Sequence, residues 1–225
     1  MTRNLGLPLR MGRAAWAALL LLPLVAAGPA SAQHAKAPAG LTVISPIFGQ
    51  LLAFSQPANF VPASENAGAG NYIRESVLKG ETVKRWTQMI TVTGAKGLAA
   101  KPEMSPALLA GYIADGFRKA CPDTFSAMSL GESEIAGHQG FAAVASCGTV
   151  SEAGATRSEV ALILAIKGES DYYTIQWAQR APASRQVLAI DRAGWMKRLA
   201  QLSPIRLCPI VPGEKAPYPS CVRGS

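Results

Sequence analysis

The sequence predicts an α+β fold in which a single antiparallel β-sheet of about six to seven strands is flanked by two helices, forming an α/β sandwich. Short apolar or alternating segments are separated by turn-forming residues, which is typical of antiparallel strands. Residues 106–120 and 191–202 have apolar side chains at three- and four-residue spacing, which is typical of helices packed on a sheet. Because the 225-residue chain is short for two separate cores, we expect one domain.

The first 32 residues have the features of a secretory signal peptide. Three arginines and no acidic residue precede an apolar run at residues 14–27. After this run, Ala30-Ser31-Ala32 supplies small residues at a cleavage site. The run is shorter than the roughly 20 residues that a membrane-spanning helix needs. We therefore predict export and a mature chain that begins at Gln33. An uncleaved N-terminal anchor is the alternative.

The rest of the chain divides into three parts by composition. Residues 33–48 begin with small and polar residues and with proline, which predicts a flexible mature N-terminus, although residues 41–44 resemble a short strand. Residues 49–203 carry the strand and helix patterns of the sandwich domain. Residues 204–225 are rich in proline and contain two cysteines, which predicts a tail closed by a disulfide bond.

A strand, a turn and a hairpin are predicted before the first helix. Residues 49–54 form the strand, and the glycines and asparagines of residues 63–71 predict the turn. Residues 72–78 and 83–93 are the two strands of the hairpin. Alternation along the second of these strands places four residues on one face: Trp86, Gln88, Ile90 and Val92.

The first helix has recognisable ends. Ser105 followed by Pro106 is the pattern of a hydroxyl N-cap and a proline at the first helical position, where no N–H is needed. Arg118 and Lys119 fall in the last turn, where cations interact favourably with the helix dipole, and Pro122 ends the helix.

Four further strands are separated by short, glycine-containing turns, so neighbouring strands should pair antiparallel. They are predicted at residues 125–130, 141–147, 159–167 and 172–181. The third has apolar side chains on both faces, which predicts a central strand covered on both sides.

This order of elements resembles that of the PsbP-like family of small α/β sandwiches. The resemblance covers roughly residues 51–202 and rests on the element order and on Trp86 within Trp86-Thr87-Gln88-Met89-Ile90-Thr91-Val92. It implies an exported or lumenal accessory protein that binds partners without catalysing a reaction. The proline-rich tail with its two cysteines is not part of the family's usual pattern.

The cysteines Cys121, Cys147, Cys208 and Cys221 form an even set, which in an oxidising compartment predicts two disulfide bonds. Three pairings are open, and four buried free thiols are the alternative. We favour Cys121 with Cys147 and Cys208 with Cys221, because each pair joins cysteines that are near in sequence.

Charge and motifs disfavour several functions. After cleavage the chain has 19 basic and 14 acidic residues, a net charge of +5, and the dispersed basic residues disfavour nucleic-acid binding. His34 lies in the predicted flexible start and His138 in a glycine-rich turn without an identifiable partner. With no nucleophile elbow, phosphate-binding loop, dinucleotide motif or zinc spacing, the sequence predicts no catalytic residue, cofactor or metal ligand. No later segment predicts an integral membrane span.

Aromatic residues on the last strand indicate a candidate binding surface. Trp177 shares one face with Tyr173 and Ile175, while Tyr172 and Gln176 lie on the other. Core packing is the simpler interpretation. The functional interpretation is an apolar groove at the sheet edge that receives a peptide or a small ligand, with Trp177, Tyr172 and Gln176 as its candidate residues.

These patterns together favour an exported, periplasmic or secreted, non-catalytic accessory protein that binds a protein or a cell-envelope component. Two alternatives stay open. One is an exported hydrolase whose site is not visible in the sequence, and the other is a secreted inhibitor that uses the disulfide-closed tail as its contact loop.

We predict cleavage directly after Ala32, because the small residues at the end of the apolar run match a signal-peptidase site. N-terminal sequencing of the exported protein should then begin at Gln33. Recovery of a chain that still carries residues 14–27 would support the anchor instead.

Overall fold

The computed structural model describes residues 40–152 and 154–222. The predicted signal peptide, its cleavage site and His34 lie outside the described residues. In the described part of the chain, no helix is long and apolar enough to cross a membrane.

The described residues form ten strands and three α-helices. The strands are β1 (Gly40–Ile47), β2 (Gln50–Pro57), β3 (Phe60–Ala67), β4 (Asn71–Leu78), β5 (Gln88–Ala95), β6 (Phe125–Ile135), β7 (His138–Glu152), β8 (Ala155–Lys167), β9 (Tyr172–Ala181) and β10 (Arg206–Pro209). The helices are α1 (Pro106–Ala120), α2 (Arg192–Gln201) and α3 (Pro219–Val222).

Seven strands form one antiparallel sheet in the order β3-β4-β5-β9-β8-β7-β6. This large sheet confirms the predicted α+β class. β8 lies between β9 and β7, and each residue from Ala161 to Ile166 is at most 1% exposed. Because both faces of β8 are covered, its continuous apolar run is accommodated as predicted.

The sequence predicts a single sheet, but the structure has a second, three-stranded sheet that covers one face of the large sheet in the order β1-β2-β10. Leu52 of β2 belongs to the same apolar core as Leu164 of β8 and Trp195 of α2. Gly94 of β5 permits the close approach, because a Cβ at that position would overlap the side chain of Ile47. The main core therefore lies between the two sheets and under α2.

Helix α1 covers the opposite face of the large sheet, over β6, β7 and β8. Ala110 packs there with Ala145 and Ile163, and two small side chains let the helix lie close to the strands. The predicted N-cap is present, since the Ser105 hydroxyl accepts the N–H of Leu108 at 3.1 Å.

The cysteines lie in the two pairs that sequential pairing predicts. Cys121, at the end of α1, is bonded to Cys147 of β7 with a Cα–Cα distance of 5.7 Å. Cys208 of β10 is bonded to Cys221 of α3 with a Cα–Cα distance of 5.6 Å. The first bridge ties α1 to the large sheet, and the second closes the tail.

Three predicted irregular segments contain strands. The prediction of a flexible segment at residues 33–48 is wrong for residues 40–47, which pair with β2 along their whole length, while the short strand suggested at residues 41–44 lies within β1. The tail at residues 204–225 contributes β10 to the other edge of β2, and the turn predicted at residues 63–71 begins only after Ala67, where β3 ends. Backbone hydrogen bonds form these pairings, so weakly apolar side chains do not prevent them.

The predicted face of Trp86 is also wrong. Residues 79–87 form a loop, and β5 begins only at Gln88, so Trp86 has no strand register that would place it beside Ile90. It packs instead with Met89 on the face that carries α1. The guanidinium carbon of Arg180 lies 3.5 Å from the centroid of the Trp86 ring, which favours this position.

The buried carboxylate of Asp171 links its own connection to two segments that are distant in the chain. Its Oδ1 accepts the N–H of Gly97, after β5, at 2.7 Å, and its Oδ2 accepts the N–H of Gly49, between β1 and β2, at 3.3 Å. The hydroxyl of Tyr173 lies 3.4 Å from the same Oδ2 and 3.3 Å from the carbonyl oxygen of Ile47, and its one proton is shared between these two acceptors. Asp171 itself lies in the connection between β8 and β9 and is 4% exposed.

We expect Asp171→Ala to lower the free energy of unfolding by about 3 kcal/mol, because buried N–H groups would lose a charged acceptor. Urea unfolding measures the change. Glu169→Ala, an exposed carboxylate on the same turn, is the matched control and should change stability by less than about 0.5 kcal/mol. Equal effects of the two substitutions would contradict the role assigned to Asp171.

Tyrosine burial makes the fold sensitive to alkaline pH. Tyr72 is 5% exposed, and its hydroxyl donates to Glu65 Oε1 at 2.8 Å. Burial, together with this hydrogen bond, raises the pKa of Tyr72 from 10.0 to about 12. Burial and the nearby Asp171 carboxylate also raise the pKa of Tyr173.

An unfolded chain releases the Tyr72 proton near pH 10, whereas the folded chain holds it to about pH 12. The folded state therefore binds more protons between these values, and the free energy of unfolding should fall as the pH rises through them. Urea unfolding at several alkaline pH values measures this decline. Tyr72→Phe should make it shallower, while Tyr112→Phe, at a 58% exposed position, should leave it unchanged. A Tyr72→Phe decline as steep as that of the unaltered protein would contradict this assignment.

Candidate functional site

A cleft of about 270 Å³ lies where α2 and the segment before it cross the ends of β8 and β9. Its strand side includes Val160 and Gln179, its helix side includes Trp195 and Arg198, and the segment between β9 and α2 contributes Leu188. Apolar walls with a few polar groups are typical of a ligand-binding cleft. We define this space as the α2 cleft.

The strand side of the α2 cleft is set by sheet register. Val160 of β8 lies opposite Gln179 of β9. Trp177 precedes Gln179 by two residues and therefore points to the same face of the sheet. The hydroxyl of Ser158 donates to the carbonyl of Ala181 at 3.2 Å, which ties the ends of the two strands together.

The segment at residues 182–191 is a fixed wall, although it has no regular secondary structure. The N–H of Ser184 donates to the Gly148 carbonyl at 2.8 Å, and the Thr149 hydroxyl donates to the Ser184 carbonyl at 2.7 Å. The Ser126 hydroxyl donates to the Leu188 carbonyl at 3.2 Å. A side chain at position 148 would overlap this segment's backbone, so glycine is required there.

Helix α2 is held at both ends. At its start the carboxylate of Asp191 accepts the N–H of Gly194 at 3.1 Å and forms the N-cap. At its end the carbonyl of Leu202 accepts the N–H of Ser55 in β2 at 3.0 Å. Trp195 is 7% exposed and belongs to the main core. The helix therefore presents Asp191 and Arg198 to the cleft in fixed positions.

Arg198 is held between two tryptophans. Its guanidinium carbon lies 4.3 Å from the centroid of the Trp195 ring and 5.6 Å from that of Trp177. Its Nη2 donates to Oε1 of Gln179. Ring faces attract cations, and the Gln179 oxygen fixes the direction of the guanidinium. Burial lowers the pKa of Arg198, but a guanidinium remains charged at neutral pH.

The three residues of the predicted binding surface lie on two faces of the large sheet. Trp177 is 4% exposed, and the guanidinium of Arg198 lies over its ring. The Nε1–H of Trp177 donates to Gln88 at 3.0 Å. Tyr172 and Gln176 lie on the opposite face, where Tyr172 is 1% exposed and Gln176 is partly exposed. Because β9 is an internal strand, they cannot form a groove at the sheet edge. Only Trp177 lies next to the α2 cleft, and a binding role for any of the three stays a prediction.

No sequence pattern identified the charged group of the site, although a signal was present. Arg198 follows Trp195 by three residues and therefore lies on nearly the same side of α2 as this core residue, where a charge is unusual. Gln179 gave no comparable signal, because alternation shows the face of a strand residue and not its partner.

His138 is the single histidine among the described residues. His138 begins β7 and lies opposite Ile135 across a tight turn. Within residues 40–152 and 154–222, no group of three or more histidine, cysteine or acidic side chains could hold a metal ion.

No protein-family model matches this chain, and no curated protein matches it in sequence. Solved structures with a similar arrangement include the Ran-binding protein Mog1p of Saccharomyces cerevisiae, with 12% identity, a TM-score of 0.42, and coverage of 72% of this chain and 92% of that one. The PsbP protein CyanoP of Synechocystis has 12% identity, a TM-score of 0.41, and coverage of 76% and 94%. LpqN of Mycobacterium tuberculosis, which is involved in cell envelope biogenesis, has 12% identity, a TM-score of 0.33, and coverage of 78% and 88%. The PsbP-like family that the sequence resembles is thus represented among these structures.

Proposed function

We propose that this chain is an exported, non-catalytic accessory protein, periplasmic or secreted, that binds a protein or a cell-envelope component through the α2 cleft. The observation that carries the proposal is a cleft with apolar walls and one fixed cation, built by segments that also expose apolar side chains.

Export is supported by sequence and structure together. The N-terminal residues have the charge, apolar length and small residues of a signal peptide. Two cysteine pairs at bonding distance suit an oxidising compartment outside the cytoplasm.

A macromolecular partner is supported by apolar residues on both segments that form the cleft. Val187, next to the cleft residue Leu188, is 54% exposed. Met196, next to Trp195 on α2, is 41% exposed. Exposed apolar residues that flank a cleft are typical of a surface that extends beyond a small-molecule site.

The tail supports a second candidate function, a secreted inhibitor. Ile210 and Val211 are 44% and 42% exposed, and they lie in a loop whose ends are joined by the Cys208–Cys221 bridge. Within this loop Glu214 accepts the N–H of Ser220 at 2.9 Å, which further restricts its shape. Exposed apolar residues on a restrained loop are suited to contact another protein.

We expect a photo-crosslinking residue at position 187 to form a defined adduct in envelope extract, because the cleft would bring the partner within reach. Val83, which is 37% exposed on the loop that carries Trp86, is the matched control position and should form no such adduct. Mass spectrometry of the adducts provides the measurement. Ala189→Trp, which would fill part of the cleft, should abolish the adduct at position 187.

The same experiment separates the two candidate functions. Identical adducts from positions 187 and 83, or an adduct that survives Ala189→Trp, would contradict binding through the α2 cleft. Loss of the adduct only when Ile210 and Val211 are both replaced by serine would support the tail as the contact surface.

A further inference from the structure

We propose that the α2 cleft binds the C-terminal residue of a partner polypeptide, with the α-carboxylate on Arg198 and an apolar side chain against Trp195. This inference rests on the proposed function, because it names the chemistry of the partner segment that the cleft receives.

The cleft contains a cation without an acidic partner. Among the described residues, the ion pairs within 4.0 Å involve Arg118, Arg157 and Arg180, and none involves Arg198. The tryptophan rings and the Gln179 oxygen stabilise the Arg198 cation without neutralising it. A partly buried charge of this kind gains more from an anionic ligand than a fully hydrated lysine would.

The geometry of Arg198 favours a planar, two-oxygen anion. A guanidinium has five N–H donors, and the hydrogen bond to Gln179 uses one of them. None of the Arg198 nitrogens is among the buried side-chain atoms that lack a partner, so the other donors reach the cleft or solvent. Contacts with Trp177 and Trp195 hold the guanidinium in place, which lowers the entropy lost when a carboxylate binds through both oxygens.

The charges of the cleft favour a ligand with one negative charge over a ligand with two. Asp191 also lines the cleft, but its carboxylate accepts the N–H of Gly194 and caps α2, so Arg198 is the side chain whose donors an anion can use. A phosphate monoester carries about −1.5 to −2 charges at neutral pH, and Asp191 would repel it more strongly than it would repel an α-carboxylate. An α-carboxylate carries one charge and matches the one cation.

The walls favour an apolar group directly beside that carboxylate. Val160, Leu188 and Trp195 line the cleft together with Arg198. A C-terminal residue carries its side chain and its carboxylate on the same carbon, so both could be buried at once. The exposed Val187 and Met196 extend the apolar surface beyond the cleft, which favours a polypeptide over a free carboxylic acid.

The probe is the tripeptide N-acetyl-Ala-Ala-Leu with a free carboxylate, titrated into the secreted protein. Nuclear magnetic resonance follows the indole N–H of Trp195, at the cleft, and that of Trp86, on the opposite face of the large sheet, as an internal control. We expect a saturable shift of the Trp195 signal only. The same tripeptide with an amidated C-terminus should bind at least about 10-fold more weakly, because it lacks the charge that pairs with Arg198.

Two matched variants assign the effect to Arg198. Arg198→Gln should weaken binding of the free-acid tripeptide roughly 10- to 100-fold, as expected when a charge-assisted hydrogen-bonded pair is lost. Lys197→Gln removes the same charge from the adjacent, exposed position of α2 and should change the affinity by less than about twofold. An unchanged Trp86 signal shows that a variant is folded. If Arg198→Gln fails to fold, the comparison of acid and amide on the unaltered protein still tests whether binding requires the α-carboxylate.

Equal binding of acid and amide, or equal weakening by the two variants, would overturn the proposal. Octanoate tests the other source of an apolar carboxylate, and tighter binding of octanoate than of the tripeptide would also overturn it. If the free-acid tripeptide does not bind but position 187 forms a cleft-dependent adduct, the C-terminal carboxylate is rejected as the ligand and the proposed function is retained. Binding of the acid without any adduct would reject the proposed function and retain an anion site at Arg198.

Discussion

The small sheet and the large one share an apolar core, and the buried carboxylate of Asp171 links the two sheets at one end of it. A buried carboxylate has a large desolvation cost, and several hydrogen bonds are needed to offset it. Gly49, Gly97 and Tyr173 supply donors from the small sheet, from the segment after β5 and from β9. Asp171 therefore links the two sheets at the end of the sandwich where β9 begins, beside the hydrogen bond from the Glu169 N–H to Gln50.

The α2 cleft lies at the other end of β9, and it depends on the same packing. Tyr173 and Trp177 lie on the face of β9 that the small sheet and α2 cover, and both belong to the main core. Because Trp177 is fixed from below by that core, its ring is a rigid support for Arg198. The local chemistry of the cleft is thus a consequence of how the small sheet and α2 cover the large sheet.

Much of the large sheet and both principal helices could be predicted from local patterns. The Ser105 cap, the doubly apolar run of β8 and the sequential cysteine pairs each depend on residues near one another in the chain, and the structure contains all of them. The predictions for β1 and Trp86 were less successful. Only part of β1 was predicted, because its pairing with β2 uses backbone groups that leave no side-chain pattern, and the position of Trp86 depends on Arg180, which is 94 positions away.

The sequence by itself determined the fold class, the helix ends and the alternation that puts Tyr173 and Trp177 on one face of their strand. Only the tertiary structure decided which residues of other elements each face contacts. Local periodicity depends on backbone geometry and shows which residues of an element point together. The partners of those residues depend on the packing of elements that are distant in the chain. Arg198 illustrates the difference, because its environment joins Trp195 of its own helix to Trp177 and Gln179 of β9.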